Sequence, residues 1–264
     1  YNETYSKEIS NISKKLAIEG NEIYRRKDYE GAIEKYRQAI RIFPEYTEAY
    51  YRAAKCYYML GDYDSVKEKL ERAIQNDPTH SSSLKLYGDV ERKTGNSESA
   101  ISYYEQAVSY NSNNYIAHYM LGKTYYELQS NDKAIQSLNN TVALAPTYAK
   151  AYELLGVIHL ISENNTEAIR NFELTIANDP KAYIANFRLA SVYNSQKKYD
   201  LAKRAAEASI DIKKNYAASW YELGLAEKGL GNRGGAKFAF EKAAKDKKWR
   251  KNANYEIKLL EKES

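Results

Sequence analysis

The stretch TEAYYRAAKCYYMLGDYDSVKEKLERAIQNDP, Thr47 to Pro78, carries two helical faces and two stops. Tyr50, Ala53, Ala54 and Tyr57 recur at the i, i+3, i+4, i+7 spacing of one helix face. Gly61-Asp62 interrupts the chain, and Val66, Leu70 and Ala73 then mark a second face. Asn76-Asp77-Pro78 ends it, because a residue ahead of proline avoids the α region. The reading is helix, turn, helix, each helix about three to four turns long. Helices this short are marginal alone in water, so packing must hold them.

Outward from this stretch the same unit returns. The four prolines, Pro44, Pro78, Pro146 and Pro180, are spaced by 34, 68 and 34 residues, and the absent member falls on Ser112 in the turn-like NSNN. On that period repeats begin at Ser13, Thr47, Ser81, Tyr115, Ala149, Tyr183 and Ala217. Position 8 then reads Gly20, Ala54, Gly88, Gly122, Gly156, Ala190 and Gly224, all small. Position 20 is alanine in every repeat except Val66, and position 27 is Ala, Ser or Thr throughout. Position 24 is mostly bulky: Tyr36, Leu70, Tyr104, Leu138, Phe172, Ala206 and Phe240. Small residues at 8 and 20 let two helix backbones approach to about 8–10 Å, and a large residue at 24 fills the remaining gap. One such pair cannot cover its own apolar surface, so the repeats must stack.

These positions resemble the signature of the tetratricopeptide repeat family over residues 13–250, and Trp220-Tyr221-Glu222-Leu223-Gly224 is similar to its W-x-x-L-G element. Departures are Glu91 and Glu227 at position 11, usually aromatic, and Ala206 at position 24. Repeat six also lacks the proline (Lys214) and is expected to be looser than its neighbours. The resemblance implies an all-α, right-handed superhelical solenoid whose first helices line a concave groove. The organisation expected is a lead-in at 1–12, seven repeats (13–46, 47–80, 81–114, 115–148, 149–182, 183–216 and 217–250) and a C-terminal capping helix at 251–264. In that cap Tyr255, Leu259 and Leu260 are expected to pack inward.

Composition allows a buried core, and its tyrosines suit semi-exposed grooves. The chain has 264 residues, 43% hydrophobic, with 27 tyrosines, one cysteine and a net charge of +5. A single cysteine excludes an internal disulfide and a multi-cysteine metal site. No run of about 18 apolar residues is present, so no membrane span is expected. His80, His118 and His159 fall at repeat positions 34, 4 and 11 and lack the i,i+4 spacing of a metal pair. Cys56 reads as a buried small hydrophobe. Gly229–Lys237, GLGNRGGAK, lacks the Gly-Lys-Ser/Thr ending of a phosphate loop and reads as the turn inside repeat seven. The sequons at Asn2, Asn11, Asn139 and Asn164 read as coincidence in an Asn-rich chain. No nucleophile–base constellation stands out, so no enzyme activity and no cofactor are expected. The compartment stays open between cytoplasm and cell envelope, as does the oligomeric state.

Specificity rests on the positions that the resemblance places in the groove: 2, 5, 6, 9, 12 and 13. In the first four repeats these include Asn21, Tyr24, Arg25, Tyr51, Arg52, Lys55, Tyr58, Lys85, Asp89, Arg92, Lys93, Tyr119, Lys123 and Tyr126. In repeat five the lining turns apolar with Leu154, Val157, Leu160 and Ile161, read as either a hydrophobic anchor site or covered core. Tyrosines supply contact area at low entropic cost, and lysines and arginines bond carboxylates. The partner expected is a protein or peptide with acidic and apolar side chains, with Asn21 bonding its backbone. The second reading is nucleic acid, through the basic groove and the Lys242–Lys251 run, which holds six cations and one acid. A third is the non-catalytic arm of a longer enzyme. A chaperone-tail clamp of the kind found in this family is disfavoured. Its five polar positions here hold Ala17, Asn21, Arg52, Ser82 and Leu86, and only Asn21 matches.

Overall fold

The computed structural model describes residues 2–262, with side chains from residue 7 onward. The described residues form helices and no strands. They belong to two compact units, Tyr1–Leu144 and Ala145–Ser264. Unit one holds four helix pairs: α1 (Asn2–Arg25) with α2 (Tyr29–Ile42), α3 (Thr47–Leu60) with α4 (Tyr63–Asn76), α5 (Ser81–Lys93) with α6 (Ser97–Tyr110), and α7 (Tyr115–Glu127) with α8 (Asn131–Leu144). Unit two holds three pairs and a last helix: α9 (Ala149–Ile161) with α10 (Asn165–Asn178), α11 (Tyr183–Ser195) with α12 (Tyr199–Ile212), α13 (Ala217–Gly229) with α14 (Arg233–Ala243), then α15 (Arg250–Lys262). Helix α1 runs back to Asn2, so residues 2–12 extend the first helix.

Each pair is joined by the same turn. Position 15 takes a left-handed backbone in all seven repeats: Lys27, Gly61, Gly95, Gln129, Glu163, Lys197 and Gly231, with φ between 58° and 92°. Only three of these are glycine, the residue that adopts this conformation without a Cβ penalty. The next residue caps the second helix. Asp28, Asp62, Asn164 and Asn232 accept hydrogen bonds from the backbone N–H of Gly31, Ser65, Glu167 and Gly235. Each such cap contributes about 1 kcal/mol.

The small residue at position 8 answers to the large one at position 24. A Cβ on Gly88 would lie 2.7 Å from the Tyr104 ring, on Gly156 2.6 Å from Phe172, and on Gly224 2.5 Å from Phe240. Rings therefore demand glycine. Where position 24 is Leu70 or Ala206, position 8 is Ala54 or Ala190. In repeat six Ala190 and Ala206 are both fully buried, in one cluster with Phe172, Leu189 and Leu223, so the small–small pair is closely packed rather than loose.

The last helix corrects one expectation. Ala253 and Leu260 are buried against Ala236, Phe240 and Ala243, with Ile257 partly covered beside them. That stripe is i, i+4, i+7. Tyr255 lies two residues from Ala253, hence on another face, and is 62% exposed; Leu259 is half-buried. Ion pairs Lys228–Glu256 and Lys237–Glu261, both 2.9 Å, tie the helix down, and Arg233 donates to the Leu260 carbonyl.

Candidate functional site

Within unit one the first helices α3, α5 and α7 stand side by side. What their shared face can offer is governed by the core beneath it. Tyr36 and Tyr104 are buried rings whose hydroxyls need acceptors. Tyr36 donates to Asn21 Oδ1 at 2.8 Å, and Tyr104 to Asp89 Oδ1 at 2.8 Å. Both acceptors occupy position 9. In repeats five and seven position 24 is Phe172 or Phe240, and position 9 is apolar, Val157 or Leu225. In repeats two and four position 24 is Leu70 or Leu138, which asks for no polar partner, and position 9 is Lys55 or Lys123.

The anticipated groove residues therefore divide. Asn21 Oδ1 also accepts from Arg52 at 2.8 Å, so its acceptor is occupied from inside the chain. Arg52 further pairs with Glu48 at 2.6 Å. Asp89, only 8% exposed, holds Lys85 at 2.6 Å through its second oxygen. Arg92 pairs with Glu127 at 3.1 Å, and Arg25 with Glu22 across the exposed end of α1. By contrast, Lys55, Lys93 and Lys123 form no ion pair among the described residues. Lys55 Nζ sits over Tyr24 (5.3 Å) and Tyr51 (5.8 Å), and Lys93 Nζ over Tyr58 (6.0 Å). Burial holds the Tyr24, Tyr51 and Tyr58 phenols above their ordinary range, so these rings stay neutral under the lysines. Tyr119 and Tyr126 are half-buried on α7.

In unit two Val157 and Leu160 pack against the cluster around Phe172 and Leu189, and Leu154 is half-buried beside them. Val157 is thus an edge of the core, whereas Ile161 is 59% exposed at the helix end.

The remaining candidates have local explanations. His80 bonds Ser83 through Nδ1, approaches Glu48 at 3.4 Å through Nε2 and meets the Tyr51 ring edge-on. His118 contacts the Ser112 carbonyl at 3.0 Å. Cys56 is fully buried, and burial pushes its thiol up to about 12. No group of three or more metal-ligating side chains occurs among the described residues. No helix among them is long and apolar enough to cross a membrane. The Gly229–Lys237 stretch spans the end of α13, the turn at residues 230–232 with its Asn232 cap, and the first turn of α14. In the basic run Lys242 lies over Phe238 at 5.0 Å, and the Trp249 ring packs 4.9 Å from Tyr221. Ser13 and Thr141, each the third residue of a sequon, are fully buried, and Asn164 is a helix cap; the Asn2 sequon lies outside the described side chains.

Family models described as tetratricopeptide repeat match residues 24–89, then 86–149, 119–173 and 153–218, and finally 217–245. The chain belongs to the tetratricopeptide repeat family. A search of curated proteins found no significant match. Among solved structures, the chain is similar to MamA, with 33% identity over 64% of this chain and 98% of that one and a TM-score of 0.58. It is also similar to the C-terminal part of a repeat-containing protein from Cytophaga hutchinsonii, at 21% identity, 91% and 99% coverage and a TM-score of 0.73. YrrB, described as a tetratricopeptide repeat protein with an unusual peptide-binding site, aligns at 16% identity, 70% and 97% coverage and a TM-score of 0.62. The last two share the fold.

Set against the tetratricopeptide repeat pattern, the two position-11 departures form one device used twice. Glu91 pairs with Lys67 (2.6 Å) and accepts from Asn96; Glu227 pairs with Lys203 (2.9 Å) and accepts from Asn232. Each lysine comes from the second helix of the preceding repeat, so the pair joins neighbours. Sequence reading also passed over Glu222 and Asn194, at positions 6 and 12 of repeats seven and six. The groove positions, applied to the last two repeats, would have found them.

Proposed function

We propose that this tetratricopeptide repeat chain is a protein-interaction scaffold and that the first-helix face of unit one binds an extended partner segment bearing acidic and apolar side chains. The observation that carries the reading is the lysine–tyrosine set of Lys55, Lys93, Tyr24, Tyr51 and Tyr58. Its cations lie over aromatic rings and have no acidic partner within the described chain. Such a cation is oriented without being neutralised, so an incoming carboxylate meets unspent charge. Lys123 adds a third cation two repeats from Lys55. Asn21, Arg52, Lys85, Asp89 and Arg92 act beneath this set, holding its helices in register. The second reading, nucleic acid, has less support, because the Trp249 ring of the basic run is packed on Tyr221 instead of presented to a base.

Selection from a displayed random-peptide library tests the proposal, followed by calorimetric titration of the selected peptides. Selected sequences are expected to pair Asp or Glu with aromatic or aliphatic residues. Lys55→Glu with Lys123→Glu is expected to weaken them more than about 10-fold, with circular dichroism unchanged. Peptides without acidic residues, or affinity unaltered by the double substitution, would overturn the assignment.

A further inference from the structure

Four acidic side chains are buried among the described residues: Asp89, Glu91, Glu222 and Glu227. Three carry a lysine, namely Lys85, Lys67 and Lys203. Glu222, 6% exposed, has none. Its hydrogen bond comes from a neutral donor, Asn194 Nδ2 at 2.8 Å. Asn194 Nδ2 also donates to the Glu222 carbonyl at 2.9 Å, which fixes the amide orientation and leaves Asn194 Oδ1 buried with no partner. Asn194 Oδ1 thus lacks a donor and the Glu222 carboxylate lacks a cation, and both residues line a cleft of about 530 Å³ between α11 and α13.

The walls of this cleft suit a long basic side chain. Leu225 and Tyr199, both half-buried, supply an apolar flank for a methylene stem. Gly229 makes the flank possible, since a Cβ there would lie 2.4 Å from the Tyr199 ring. Lys228 also lines the cleft, but its ammonium is held by Glu256 at 2.9 Å. An unpaired buried carboxylate is costly, and the strongest compensation is a cation carrying several N–H donors.

We propose that the cleft between α11 and α13 takes the ammonium or guanidinium group of a partner's basic side chain, with Glu222 as counter-ion and Asn194 Oδ1 as second acceptor. The site is opposite in charge to the lysine–tyrosine face of unit one and stands independently of it. A partner would present a basic residue here.

The test is an NMR titration of the full chain with N-acetyl-lysine amide and N-acetyl-arginine amide, with N-acetyl-norleucine amide as the uncharged control. Saturable shifts are expected at the Ser191 and Gly229 amides and the Asn194 side-chain amide for at least one basic probe. E222Q, which keeps the shape, is expected to weaken binding more than about 10-fold, and K55E with K123E to leave it unchanged. Equal binding of the norleucine probe, equal binding by E222Q, or no saturable shift with either basic probe would overturn the proposal. Loss of peptide binding in K55E/K123E with these shifts retained would separate this site from the face in unit one.

Discussion

Replacing Tyr104 by Phe removes one hydroxyl from a fully buried ring and tests whether position 9 serves the core before it serves a partner. The hydroxyl donates to Asp89 Oδ1 at 2.8 Å, and Asp89 is itself 8% exposed. A hydrogen bond to a charged acceptor contributes about 1.5–3 kcal/mol. Tyr36→Phe is the matched comparison. Its hydroxyl donates to the neutral amide of Asn21 at the same 2.8 Å, and that oxygen keeps the Arg52 donor after the substitution. The loss there is about 0.5–1.5 kcal/mol. A repeat array does not unfold as a single two-state body, so the readout is amide hydrogen exchange helix by helix. Protection in α5 and α6 is expected to fall about 10- to 150-fold in Y104F, and protection in α1 and α2 about 2- to 12-fold in Y36F. Adding Asp89→Val to Y104F recreates the Phe172–Val157 pairing and is expected to restore most of the protection, because removing both partners leaves no orphan. Lys85, 25% exposed at its side chain, then turns to water. An equal or larger loss in Y36F, or no recovery in the double variant, would refute the coupling.

Gly224→Ala is expected to destabilise unit two by about 1–3 kcal/mol, since its Cβ would lie 2.5 Å from Phe240, and Phe240→Leu should offset much of that; thermal melts of the single and double variants check it. Glu163→Gly and Gln129→Gly relieve left-handed strain at φ 58° and 59°, and each is expected to raise stability by about 0.5–1 kcal/mol, seen as slower exchange in the flanking helices. Burial raises the Glu222 carboxyl above its ordinary 4.5 with no facing cation to offset it; Lys228 is engaged by Glu256, and Tyr221 is neutral. A raised folded value means stability is full below about 4.5 and falls as pH rises through the folded value. E222Q is therefore expected to be more stable than the parent at neutral pH, with the advantage gone in acid, and denaturation midpoints at several pH values measure it. Cys56, with its thiol at about 12, is expected to resist a thiol reagent at pH 8 until the chain unfolds.

The fold was legible because its determinants repeat. Prolines, the small residue at 8 and the bulky residue at 24 each recur at one spacing, and packing makes them interdependent. Where the period ends, legibility ends with it. Tyr255 was expected inward, yet α15 docks through Ala253, Ile257 and Leu260, a stripe set by where Arg250 starts the helix and not by the repeat. The candidate site was legible by position and not by role. Asn21, Lys55, Asp89 and Lys123 share position 9 and look equivalent along one helix. What separates them is the residue fifteen places later, across the turn, and whether its hydroxyl is buried.

That dependence changes how a repeat face can be read. A tyrosine at position 24 claims position 9 as its acceptor, a phenylalanine is met by hydrocarbon there, and a leucine leaves the position free for charge. Lys55 and Lys123 share their repeats with Leu70 and Leu138, and the acceptors Asn21 and Asp89 are bonded by Tyr36 and Tyr104. The charge pattern of this face is therefore written partly in the core. A substitution such as Leu70→Tyr would bury a hydroxyl in the repeat that carries Lys55 and call for an acceptor at that position. Core and surface in this array are therefore coupled repeat by repeat, through whether the residue at position 24 needs an acceptor at position 9.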